Sequence, residues 1–230
     1  MNSETHPLQT TAPRRSSIGW PEIIVGLIAF YALGHATTFA FDQFDAGTTA
    51  TGVVMAQIAG IAGLGGFALA FAVRIRRLKP FGFTRTTTKW LLLGALGGAV
   101  LFLVRGFVTL PLVELFDLDT TPSDLPGGAQ GGLLALLMTG IGISIIGPIG
   151  EELLFRGVIQ SGLLRYGAVI STLGSAGIFA LAHGINIVMP VALLFGVLAA
   201  ELYRRSGSIW PAIIAHVVHN APTVFLYTLL

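Results

Sequence analysis

Two adjacent glutamates, Glu151 and Glu152, sit inside an apolar run and are followed one helical turn later by Arg156. Two histidines lie further on in equally apolar surroundings. His183 ends the stretch Phe179-Ala180-Leu181-Ala182-His183, and His216 stands in the last hydrophobic segment with His219 and Asn220 beyond it. An ionisable group at mid-bilayer costs at least about 2.5 kcal/mol, so such groups mark function or a buried pair. Spacing separates the two acids. Glu152 and Arg156 stand i, i+4 with the acid first, the favourable order for a helix ion pair. Glu151 projects about 100° further round the helix and has no local partner. A carboxylate so placed can take a proton from water and later return it. We therefore expect Glu151 to work on water, while Glu152 supports it through Arg156.

His183 could share that water with Glu151, with Phe179 one turn earlier buttressing the imidazole. His216 and Asn220 are also i, i+4 and project together. One N–H from each would form a two-donor site for a developing oxyanion, worth about 3–4 kcal/mol per donor in a measured hydrolase. Alternatively, Glu151, His183 and His216 could hold zinc and leave water in the fourth position. His219 faces roughly the same way and would extend either arrangement. Each residue also has a plainer reading: Glu152–Arg156 as a purely structural pair, either histidine as a hydrogen-bonded packing residue, His35 as structural. Arg105 has no assignable acidic partner and could snorkel toward an interface.

Depth argues against scatter. Glu151 lies 14 residues before the basic Arg165, and His183 lies 14 after Val169, each about 21 Å at helical rise. His216 is 11 residues past Arg205, about 16 Å. Three helices thus bring polar groups to nearly one level.

The helices that must carry them are membrane spans. Of 230 residues, 53% are hydrophobic and 10% charged, against about 25% charged in ordinary soluble domains. That excludes a disordered chain and argues against a soluble domain. Apolar segments run near 18–41, 52–73, 90–113, 133–165, 169–187, 188–203 and 209–230. The fourth is long and interrupted at Gly147-Pro148, after a flexible lead-in at Gly127–Gly132. An all-α polytopic bundle of about seven, or with that interruption eight, transmembrane helices follows. Arg14 and Arg15, the cluster Arg74, Arg76, Arg77, Lys79, Arg85 and Lys89, then Arg165, Arg204 and Arg205 all fall on one side of such a map. The acids Asp42, Asp45, Glu114, Asp117, Asp119 and Asp124 fall on the other. The positive-inside rule then sets the N-terminus in the cytoplasm and the C-terminus outside a cell membrane. Residues 1–17 read as a flexible polar tail, 18–126 as three spans without a chemical motif, and 127–230 as the region bearing the chemistry.

Several enzyme classes drop out. Cysteine is absent, which removes a thiol nucleophile and a thiolate metal site. No His-Glu-x-x-His zinc helix is present, no Gly-x-Ser-Gly turn occurs, and every aspartate falls in an expected loop. A near-balanced charge gives no nucleic-acid signal. Inverted repeats, which would favour a transporter, are not seen.

Glu151-Glu152-x-x-x-Arg156, then Phe179-x-x-x-His183, then His216-x-x-x-Asn220, with Phe195-Gly196 and the run Arg204–Pro211, resembles the CPBP family of CAAX proteases and bacteriocin-processing enzymes, also called the Abi family. The resemblance spans about residues 130–225. It implies an intramembrane endopeptidase related to enzymes that remove the last three residues of prenylated CAAX proteins. Carried over, Glu151 and His183 activate water, His216 and Asn220 stabilise the oxyanion, and Glu152 and Arg156 shape the site. The family is commonly labelled metalloprotease, so the cofactor expectation is Zn2+, or none if the glutamate route operates. The implied partners are the lipid bilayer and a protein or peptide substrate, lipidated or not, with no nucleic acid. The alternatives are a catalytically silent scaffold or immunity factor, and a small proton-coupled transporter.

Overall fold

The computed structural model describes residues 17–43, 47–117 and 125–227. Arg14, Arg15, Asp45, Asp119, Asp124 and the polar tail up to residue 16 lie outside the described residues. Regular structure among the described residues is helical: α1 (Trp20–Asp42), α2 (Gly47–Val73), α3 (Thr88–Phe116), the short α4 (Leu125–Ala129), α5 (Leu133–Tyr166), α6 (Ala168–Ala182), α7 (Met189–Ser206) and α8 (Trp210–Tyr227). Of these, α1, α2, α3 and α5 are long and apolar enough to cross a membrane, and α6 is apolar but shorter. The 18-residue helices α7 and α8 carry polar side chains, Glu201, Arg204 and Arg205 near the end of α7 and the buried His216 and His219 in α8. Seven or eight crossings therefore do not follow from length and composition alone.

Local chemistry explains where these helices start and stop. Pro21 lies in the first turn of α1, and the Glu22 carboxylate accepts a hydrogen bond from the Gly19 amide at 2.8 Å. Pro190 opens α7 in the same way. Gly207 closes α7 at φ 67°, a left-handed conformation that glycine adopts without strain. Gly184, at φ 82°, ends α6 just after His183, so this helix stops short of the expected residue 187. Where a flexible lead-in at 127–132 was expected, the chain forms α4. Glu114, expected in a loop, instead belongs to the last turn of α3.

The Gly147-Pro148 pair does not split α5 into two helices. A π-helical turn at Gly142–Ile146 precedes it, and a second π-helical run follows at Leu153–Gln160. Proline removes one amide donor and its ring crowds the preceding turn, and a wider turn relieves both without ending the helix.

Glycines set the closest approaches. A Cβ on Gly63 would meet the backbone of Gly150 and the amide of Glu151, so α2 lies directly against the acidic pair's own turn. Across the bundle, a Cβ on Gly98 of α3 would strike the backbone of Ala215 in α8, one residue before His216. Small residues permit this kind of contact in lipid, where packing rather than water drives helix association.

One end of the bundle gathers the basic segments. Arg74 donates to both oxygens of the Glu22 carboxylate at 2.6 and 2.9 Å, and Arg165 donates to the Ile18 carbonyl. The loop before α3 joins the α7–α8 turn through Thr84 to Gly207 at 2.6 Å and Ser208 to Thr84 at 2.8 Å. The opposite end brings Gly127 and Gly131 against Thr48 and Thr49.

Candidate active site

From Gly150 to Leu163 every residue of α5 is buried, and this stretch begins with the two glutamates. Glu151 faces two imidazoles from different helices. Its Oε1 lies 4.0 Å from His183 Nε2 at the end of α6, and its Oε2 lies 3.6 Å from His216 Nε2 on α8. A residue without a local partner in sequence thus gains two in space.

Both rings are held from behind. The Nδ1–H of His183 donates to the Phe179 carbonyl at 2.9 Å. The Nδ1–H of His216 donates to Glu152 Oε1, also at 2.9 Å. Since a carbonyl and a carboxylate only accept, each ring must carry a proton on Nδ1, and each turns Nε2 toward Glu151. The same Glu152 oxygen lies 3.1 Å from Arg156 Nη1, as an ion-pair contact rather than an aligned hydrogen bond. Glu152 therefore orients an imidazole as well as pairing with an arginine. The spacing alone pointed only to the arginine.

Arg156 is fully buried. Its guanidinium lies 4.5 Å from the Phe179 ring centre and 5.8 Å from that of Phe195, and Nη2 donates to the Gly196 carbonyl at 3.3 Å. The faces of the two phenylalanines also touch the histidines: Phe179 is 4.6 Å from His183, and Phe195 is 4.3 Å from His216, centre to centre. Aromatic rings accept a cation on the face through their quadrupole, so a compact slab joins the buried cation to both imidazoles. Phe195 carried no role in the sequence reading. Its place in the Phe195-Gly196 pair of the family resemblance was the available signal.

Asn220 lies on α8 one turn past His216, and its Nδ2 donates to the Ile143 carbonyl at 3.1 Å. That carbonyl belongs to the first π-helical turn of α5, a partner no side-chain motif could reveal. One amide hydrogen is thus engaged with backbone, and a second remains on the same nitrogen. His219 turns the other way. Its ring stacks on Phe195 at 5.4 Å and meets Phe102 of α3 edge-on at 6.3 Å. Arg105 donates to Thr223 Oγ1 at 3.0 Å and covers Phe102 at 4.3 Å, while exposed His35 stacks on Tyr31.

The zinc alternative needs Glu151, His183 and His216 to converge on one point. Among the described residues no group of three or more His, Asp or Glu side chains is arranged to hold a metal ion. The two Nε2 atoms address opposite oxygens of the same carboxylate instead.

No curated protein and no solved structure matches the chain. A family model described as type II CAAX prenyl endopeptidase Rce1-like matches residues 133–222, a stretch that holds Glu151, Glu152, Arg156, His183, His216, His219 and Asn220. Residues 133–222 are thus similar to the Rce1-like proteins, which is consistent with the CPBP/CAAX protease family.

Proposed function

We propose that the protein is an intramembrane endopeptidase in which Glu151 and His183 activate a water, and His216 with Asn220 receives the oxyanion. The observation that carries this reading is the pair of Nε2 atoms turned onto Glu151 from two separate helices, each ring fixed by a bond at its far nitrogen. A carboxylate and a neutral Nε2 are both acceptors. A water between them donates one hydrogen to each and keeps a lone pair for attack. As its oxygen bonds to the scissile carbonyl carbon, its proton passes to Glu151. The same carboxyl then protonates the leaving amine as the C–N bond breaks, giving a new carboxylate and a free amine.

Charge grows on the former carbonyl oxygen during attack. The second amide hydrogen of Asn220 is one donor for it, and an N–H at His216 Nε2 would be the other. Glu152 holds that ring through Nδ1, and Arg156, buried against Phe179, pairs with the same Glu152 oxygen. The substrate is a protein or peptide that reaches the site within the bilayer. Seven crossings, with the basic loops in the cytoplasm, would take the four long apolar helices together with α6, α7 and α8, and would suit the gathering of Arg74, Arg165, Arg204 and Arg205 at one end.

The test compares terminal peptides, by mass spectrometry, in membranes carrying wild type or Glu151→Gln at matched levels. New termini confined to wild type would establish proteolysis and name the substrate. Identical termini in both would point to a silent scaffold.

A further inference from the structure

α6 presents one stripe at four-residue spacing: Ser171, Ser175, Phe179 and His183. The two serines are wholly buried. A serine in a helix commonly bonds back to its own turn; both of these instead donate across to α5. Ser175 Oγ donates to the Phe155 carbonyl and Ser171 Oγ to the Gln160 carbonyl, each at 2.9 Å. Continuing up the stripe, Phe179 meets the Phe155 ring at 5.1 Å, and His183 meets Glu151 at 4.0 Å. The α5 partners occur in the order 160, 155, 155, 151, as antiparallel helices require.

Phe155 and Gln160 lie within the π-helical run Leu153–Gln160 that begins directly after the glutamates. Such a run is rare and wide, and each of its carbonyls has a second lone pair that a side-chain donor can reach. Three of them receive side-chain hydroxyls here, since Ser161 also donates to the Arg156 carbonyl at 3.2 Å. The serines thus bond the very segment whose pitch sets where Glu151, Glu152 and Arg156 point.

We propose that Ser171 and Ser175 are positioning residues that pin α6 to the π-helical run of α5 and so fix the register of His183 against Glu151. The role rests on the peptidase reading above. Hydrophobic stripes alone do not define this register, because neighbouring apolar residues can substitute for one another after a slip. A slip of one residue moves His183 by about 1.5 Å, and a displacement of about 1 Å at a reacting centre can cost about a hundredfold in rate.

The experiment uses the full chain in lipid nanodiscs, as wild type, S171A/S175A, S171T/S175T and E151Q. It reads kcat and KM on the peptide found by terminal mass spectrometry, together with amide hydrogen exchange. We expect S171A/S175A to lose at least about tenfold in kcat with KM little changed. Amides 153–160 should exchange faster while α1 to α3 keep their protection, and the threonine pair, which retains both hydroxyls, should recover rate and protection together. Unchanged exchange at 153–160 with unchanged kcat would overturn the proposal. So would faster exchange throughout the molecule, which would make the serines general supports of the fold. Persistent cleavage by E151Q would sink the role given to Glu151 in the peptidase reading alone, and the exchange data on the serine variants would still decide the pinning.

Discussion

α3 and α5 are both long and apolar, yet they meet their surroundings in opposite ways. α3 buries only Gly94, Gly98 and Thr109, while Leu103 and Phe107 are 72% and 84% exposed and face where lipid would lie. α5 buries an unbroken run from Gly150 to Leu163, including Glu151, Glu152, Arg156 and Gln160. A lipid-facing helix tolerates any apolar side chain and contributes mainly backbone closeness. A helix surrounded by others must satisfy each polar group it brings, because no water is there to do so. The ionisable groups of the candidate site are therefore concentrated on α5, α6 and α8, and α2 and α3 approach them through glycine contacts.

The contrast can be broken most forcefully at Glu151. Glu151→Gln should lower the cleavage rate by about 10²–10⁴-fold with the amount of folded protein unchanged, as judged by size-exclusion elution. Next comes the buried ion pair. Arg156→Met leaves Glu152 enclosed without its cation, which should destabilise by about 3–5 kcal/mol, read as a fall in thermal midpoint. The double variant Glu152→Gln/Arg156→Met should regain part of that loss, since it removes the stranded charge. If the double were worse than the single, the pairing account would be wrong.

A smaller effect sharpens the role assigned to α3. Gly98→Ala drives a Cβ into the Ala215 backbone next to His216 and should cost about tenfold in rate. Gly106→Ala, on the same helix with open space around it, should leave the rate intact and add up to about 1 kcal/mol of helix stability. Equal losses from the two would mean that α3 does not seat α8. Phe107→Ala, on the exposed face, should change stability by no more than about 0.5 kcal/mol.

Much of the site was legible in the residues, and the illegible remainder has one physical cause. Glu151, Glu152, Arg156, His183 and His216 stand out because ionisable groups in apolar segments are costly, and matched depth brought them to one level before any fold was known. Their pairing was only half legible. An i, i+4 rule sees Arg156 from Glu152 but cannot see His216, which arrives from α8, 64 positions along the chain. Phe195 entered only through the family resemblance, with no role of its own, and Ser171 and Ser175 were silent, because phenylalanine and serine are ordinary in apolar helices; only their partners make them distinctive. The Ile143 carbonyl that binds Asn220 has no sequence signature at all. Helix ends show the same division. Gly207 and Pro190 announce theirs, whereas the unbroken path of α5 past Pro148 depends on a π-helical turn that local propensity does not encode.

Composition and the placement of charge were sufficient to establish a helical bundle suited to a membrane, with its ionisable groups in the second half, because hydropathy and desolvation act on each segment independently. Tertiary packing alone decided that Glu151 meets two imidazoles, that Glu152 serves both His216 and Arg156, and that His219 turns toward α3. Those outcomes depend on the rotation and register of helices about one another, set by glycine contacts and by hydrogen bonds to backbone carbonyls that every residue possesses alike.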